Sequence, residues 1–179
     1  MINIRKLQRD PAGVPFDCGI AGINDLVQRS YYPTILQHLY AFEILVDGVT
    51  VGYYMYGFRR IKLSESPGDI GDYISDLSEY CYALHIRYIA ISEQYQRIGI
   101  GSKALGLLIL QVQELCKTWP VRLITLDALK EKVEWYKSKG FVMFNEDDIG
   151  NSKKDVAMYL DCLVDPEKLE RYTSEHEEI

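Results

Sequence analysis

The chain has 179 residues, is 47% hydrophobic and 26% charged, and carries a formal charge of −6. That fills one ordinary domain with its own core and excludes a disordered tail, a collagen and a small stapled scaffold. Residues 165–179 hold six acids and two bases, net −4, which leaves −2 for the body and no basic stripe of the nucleic-acid type. Cys18, Cys81, Cys116 and Cys162 are scattered without a C-x-x-C pair, so neither a metal site nor a disulfide framework is expected. Met1–Lys6 has no apolar leader run, and no stretch approaches a membrane span, so a cytoplasmic protein with reduced thiols is expected.

Taken in chain order, Ile2–Leu7 alternates and predicts a first strand. Ile20, Ile23, Leu26 and Val27 have helical spacing, with Asp17 as the candidate cap. Pro33 suits the first turn of a second short helix running to about Tyr40. Asp47-Gly48 between the strand-like runs Phe42–Val46 and Val49–Arg60 is a strong hairpin signal. Ser64–Gly71 reads as a loop, and residues 72–80 have no clear period.

Tyr82–Ile91 is a near-continuous apolar run of strand type. A polar segment and two glycines lead into a helix that places Leu105, Leu108, Ile109, Val112, Leu115 and Cys116 on one face. Val121–Leu126 predicts a buried strand. Leu129, Val133 and Tyr136 predict one face of a further helix, closed by Gly140. Phe141–Phe144 and Val156–Leu160 predict two last strands. The pattern is a mixed sheet with helices on its faces, in one domain over 1–164 with an acidic tail at 165–179.

The segment Ile89–Lys103 runs from a buried strand through a short loop into an amphipathic helix. Glycines there permit positive φ and a close backbone approach, and the amides at the helix start converge on one point. Such a turn suits a diphosphate held by main chain. Gly99, Gly101 and Ala104, with Asp127 at the end of the next strand, imitate a dinucleotide fingerprint. That motif needs its first glycine directly after the strand, whereas a polar loop separates Ile91 from Gly99.

Gln96-Arg97-Ile98-Gly99-Ile100-Gly101 resembles the Q/R-x-x-G-x-G/A motif of the GNAT superfamily of acetyl-CoA-dependent N-acetyltransferases. Trp135-Tyr136-Lys137-Ser138-Lys139-Gly140-Phe141 is similar to that family's F-Y-x-x-x-G-F element, and the order of elements resembles the family over roughly residues 2–162. The resemblance implies a single-domain α+β fold, with a twisted, mostly antiparallel sheet of six to seven strands and about four helices. It implies acetyl-CoA as cofactor, with the backbone of Ile89, Ala90 and Ile91 pairing with the pantetheine arm. Gln96, Arg97, Ile98, Gly99, Ile100, Gly101 and Ser102 would form the pyrophosphate turn. Tyr136 would be the general acid at the cofactor sulfur. Leu129 and Lys132 depart from the family's usual asparagine and small residue.

His85 is the candidate base. Its strand parity matches Arg87, Ile89 and Ile91, and histone-type family members carry a glutamate at the same offset from the motif. Water is the alternative proton carrier, and Glu79 a weaker one. Phe16-Asp17-Cys18-Gly19, Gly52-Tyr53-Tyr54 and Leu126-Asp127-Ala128 resemble a toxin–antitoxin branch that acetylates aminoacyl-tRNA, which would add an antitoxin partner. The weakly acidic body argues against tRNA and for direct transfer to a small-molecule or protein amine. A non-catalytic CoA-binding protein is the third reading. Tyr53, Tyr54, Tyr56, Tyr80 and Tyr82 suit a substrate cleft, a sheet-edge homodimer surface or half-buried strand positions.

Overall fold

A computed structural model describes residues 1–62, 79–150, 154–163, 167, 168, 170, 171 and 174. The expected loop at 64–71, most of the unassigned stretch 72–80 and most of the acidic tail lie outside these residues. Among them, seven strands form one sheet in the order β1-β2-β3-β4-β5-β7-β6. The strands are β1 (Ile2–Lys6), β2 (Tyr40–Val46), β3 (Val49–Lys62), β4 (Tyr80–Ile91), β5 (Val121–Leu129), β6 (Val142–Met143) and β7 (Asp155–Asp161). Four α-helices accompany them: α1 (Ala21–Gln28), α2 (Tyr31–Ile35), α3 (Ile100–Cys116) and α4 (Val133–Lys137). Neighbours run antiparallel except β4 and β5, which are parallel and joined through α3.

The β2–β3 hairpin turns at Asp47 (φ 49°) and Gly48 (φ 85°), the two left-handed positions an Asp-Gly turn supplies. Helix α3 covers one face of the sheet. Its Ile100, Ala104, Leu105, Leu108 and Val112 are buried against Ile44, Leu84, Ile86, Ile124, Leu126 and Ala128. Each fully buried Leu or Val there contributes about 1.5–3 kcal/mol of transfer free energy. A smaller cluster on the other face gathers Val27 of α1 with Ala41, Tyr53, Met55, Tyr88 and Ala90. The strand tyrosines divide accordingly: Tyr54 stacks on Phe42 at 4.9 Å, Tyr53 meets Phe16 edge-on at 5.0 Å, and Tyr82 is exposed.

Several local expectations are corrected. Asp17 is not a helix cap: the cap position of α1 is Ile20, and Asp17 Oδ1 accepts from the Gly19 amide and Asn24 Nδ2. Helix α2 ends at Ile35, because Gln37 turns left-handed at φ 58° and Tyr40 already pairs in β2. Leu129 belongs to β5, and α4 begins only at Val133. Strand β6 is just Val142–Met143.

The parity of His85 is also corrected. Tyr56 pairs with Ile86 and Met55 with Tyr88, so Arg87 is an extra residue in β4. This bulge inverts the alternation. Leu84 and Ile86 face α3 before it, and Ile89 and Ile91 face α3 after it. His85 therefore points to the face opposite Ile89 and Ile91.

Candidate active site

The parallel pairing of β4 with β5 stops at Ile86–Leu126, although β4 runs on to Ile91 and β5 to Leu129. Past that vertex the two strands diverge and present ladder edges to each other across a gap. The Arg87 bulge bends β4 at the point where separation begins. The resulting cleft has a volume of about 640 Å³, within the usual range for small-molecule sites. Arg87 to Ile91 line one wall, and Asp127 and Leu129 stand on the other.

At the far end of the gap the chain turns into α3. Arg97 and Gly99 are both left-handed, at φ 62° and 86°. Gly99 is the cap residue of α3 and has no side chain to cap with. The first helical bond runs from the Lys103 amide to the Gly99 carbonyl at 3.1 Å. The amides of Ile100, Gly101 and Ser102 consequently lack intrahelical acceptors. A Cβ at Gly101 would come within 3.6 Å of Ile91 and 3.9 Å of Trp135, in the mouth of the cleft. An uncapped, 17-residue helix with a glycine-opened start is suited to a phosphate group.

Gln96 holds this turn in place. Its Nε2 donates to the Ile91 carbonyl at 2.8 Å and to the Cys18 carbonyl at 3.0 Å. The Glu93 amide donates to the Asp17 carbonyl at 2.9 Å. Phe16-Asp17-Cys18-Gly19 is thus a brace under the loop that carries the glycines. Two hydrogen bonds from its neighbours hold the Asp17 carboxyl below the ordinary carboxylate range.

Tyr136 lines the same cleft from α4, edge-on to Trp135 and Phe141. Burial pushes its phenol up to about 12, so it keeps its proton throughout the neutral range. Of the residues singled out by sequence, Ile89, Ala90, Ile91, Gln96, Arg97, Gly99, Gly101, Ser102 and Tyr136 border the cleft. Ile98 is exposed, and Ile100 is buried in the core under α3.

His85 does not border the cleft. It is 8% exposed, with Nδ1 3.0 Å from Thr125 Oγ1 and Nε2 3.8 Å from Asp127 Oδ2. Burial lowers its pKa, which Asp127 partly opposes, so the ring is neutral at pH 7. Arg87 and Asp127, the first residue past the vertex on each strand, are bordering groups that sequence reasoning left out of the site. Nothing in the sequence marks where two parallel strands part.

No protein-family model matches the chain, and no curated protein matches it. Solved structures do. A bacterial toxin aligns with TM-score 0.76 at 18% identity, covering 95% of this chain and 96% of the toxin. AtaT complexed with acetyl-methionyl-tRNAfMet aligns with TM-score 0.73 at 18% identity, covering 96% and 99%. AtaTR bound with AcCoA aligns with TM-score 0.72 at 18% identity, covering 96% and 97%. The likeness is one of fold, and it extends over almost the whole of both chains. The single-domain α+β fold of GNAT type expected from the sequence is the fold observed.

Proposed function

We propose that this chain is an acetyl-CoA-dependent N-acetyltransferase of GNAT type whose acceptor is the amino group of aminoacyl-tRNA. The observation that carries the reading is the gap between β4 and β5, with an uncapped helix start at one end and a protonated phenol on its wall. Acetyl-CoA, when bound, supplies an acetyl thioester whose carbon exchanges its bond to sulfur for a bond to the amine nitrogen.

The protein's own groups divide the work. The amides at 97–102 and the dipole of α3 take the diphosphate charge. The open edge of Ile89–Ile91 offers backbone hydrogen bonds to an extended amide-bearing arm. Tyr136 donates a proton toward the departing sulfur and is reprotonated by the nitrogen's surplus proton or by water. Burial of that phenol keeps the donor form populated at every neutral pH.

Water carries the proton from the acceptor, since the ring of His85 lies outside the cleft. The family role of a strand base is therefore not assigned to His85. It stands instead behind Asp127.

Two features support the tRNA acceptor over a small amine. The tRNA-bound neighbour matches along nearly its entire length. Near the cleft vertex, despite the chain's −6, two arginines stand exposed: Arg59 of β3 and Arg87 of β4 are both close enough to act on His85. Phosphate contacts dominate nucleic-acid affinity, so a local pair of arginines matters more than the net charge. The acidic balance of the remaining body favours a second reading, a small-molecule or protein amine.

The test is a mass-shift screen with acetyl-CoA against aminoacyl-tRNA, peptide and small-amine pools. Gain of one acetyl group on aminoacyl-tRNA is expected. Acetylation of only another pool would replace the acceptor. CoA binding with no acetylated product in any pool would leave a non-catalytic CoA-binding protein.

A further inference from the structure

We infer that Asp127 is the anchor for the acceptor's ammonium group, with His85 and Thr125 ranged behind it. The inference rests on the acetyl-transfer reading and adds the group that selects a charged amine.

Position comes first. Asp127 is the first residue of β5 beyond its last pairing with β4, so it sits at the vertex, opposite the glycine turn. Its neighbours Leu126 and Ala128 face α3, which sends Asp127 to the other face. Tyr136 packs with the α3-side cluster. The acid for sulfur and the carboxylate thus approach the cleft from opposite faces of the sheet, as transfer from sulfur to an incoming nitrogen requires.

Chemistry comes second. The Asp127 side chain is 51% exposed and accepts no hydrogen bond among the described residues. Among the described residues its one ion-pair contact within 4.0 Å is with His85 Nε2 at 3.8 Å, too long for a hydrogen bond. His85 Nδ1 is engaged by the Thr125 hydroxyl at 3.0 Å. A neutral ring carries one proton, and the adjacent carboxylate favours it on Nε2. Thr125 then donates to Nδ1, and the ring's dipole points at Asp127. The carboxylate faces a polarised ring yet keeps its lone pairs for a ligand.

Charge comes third. The groups acting on His85 are Asp127 from β5, Arg59 from β3 and Arg87 from β4. Two guanidinium groups alone would repel an ammonium. Asp127 supplies the local negative charge that allows one to sit there, while the arginines remain for anionic parts of the same acceptor.

The experiment measures equilibrium binding by full-length protein in the presence of CoA, so that no transfer occurs. The probes are total aminoacyl-tRNA and a matched pool charged with the corresponding α-hydroxy acids. The wild type should prefer the amino pool about ten-fold or more, as expected for a hydrogen bond between charged groups. Asp127→Asn should erase that preference while leaving hydroxyacyl-tRNA and CoA affinity unchanged. In turnover it should raise KM for the acceptor more than it lowers kcat. A preference that survives Asp127→Asn, or a wild type with none, overturns the inference. If another amine proves to be the acceptor, the same comparison is made with that amine and its hydroxy counterpart, and only the tRNA reading falls. If the wild type binds no CoA, the acetyl-transfer reading falls first.

Discussion

The two ends of the cleft are built from different materials. The glycine end uses backbone: left-handed Arg97 and Gly99, three amides without helical acceptors, and Gly101 where a side chain would stand between Ile91 and Trp135. The vertex end uses side chains: Tyr136 from α4, Asp127 from β5 and Arg87 from the bulge. In the proposed transfer the first end would meet a charge that every substrate cycle repeats, and that asks only for a close approach of the chain. The second would have to discriminate and move protons, which amides cannot do. Substitutions should therefore act by opposite rules, with added bulk harmful at one end and lost functional groups harmful at the other.

Tyr136→Phe should show the largest effect. It keeps the edge-on packing with Trp135 and Phe141 and removes only the hydroxyl. We expect kcat to fall about 10²–10⁴-fold, the range for a lost general acid, with CoA affinity unchanged by calorimetry. A wild-type kcat would make Tyr136 a packing residue. With its pKa at about 12, the phenol should also produce no alkaline limb in kcat across the neutral range.

At the glycine end the sharper contrast is between neighbours. The space around Gly101 accepts a Cβ at ordinary contact distances, so Gly101→Val should fold and lose CoA affinity by roughly ten- to hundred-fold, the equivalent of one or two strong hydrogen bonds. Gly99 has open space but φ 86°, so Gly99→Ala should cost about 1–2 kcal/mol of stability through backbone strain, seen as a lower Tm. Ile98→Ala should alter neither, because its side chain points to solvent. Equal losses for Ile98 and Gly101 would mean that side chains, not amides, bind the phosphate.

The smallest measurable effect belongs to His85. Its folded-state pKa lies below the unfolded value of 6.5, so the unfolded chain binds more protons just below that pH. The stability it contributes is complete above about pH 6.5, shrinks as pH falls below it, and is gone at its own lower folded value. Thermal melts of His85→Gln should show a flatter decline of Tm over this window than the wild type. Identical slopes would assign the acid sensitivity to other groups.

What the sequence made legible follows the same division. The glycine turn could be read because amide recognition needs particular residues at fixed spacing, and Gln96 to Gly101 stand in one short run. The hairpin at Asp47-Gly48 and the apolar face of α3 were legible for the same reason, since their causes are local. The vertex was not. Arg87 becomes a bulge only through its register with Met55 and Tyr56, more than thirty residues away in a different strand. Strict alternation through a bulge then places His85 on the wrong face. Asp127 looks like any strand-end carboxylate until the parting of β4 and β5 gives it a cleft to face. Asp17 likewise reads as a cap by position, yet its fold-back onto Gly19 and Asn24 serves the brace under the glycine loop.

A crystal structure with acetyl-CoA tests the central claim most directly. The account predicts the pyrophosphate on the amides of Arg97–Ser102, the pantetheine arm along the open edge of Ile89–Ile91, and the sulfur beside the Tyr136 hydroxyl, with the acetyl group toward the vertex. Crystals saturated with acetyl-CoA that show the ligand elsewhere, or the gap between β4 and β5 closed by pairing, would contradict it.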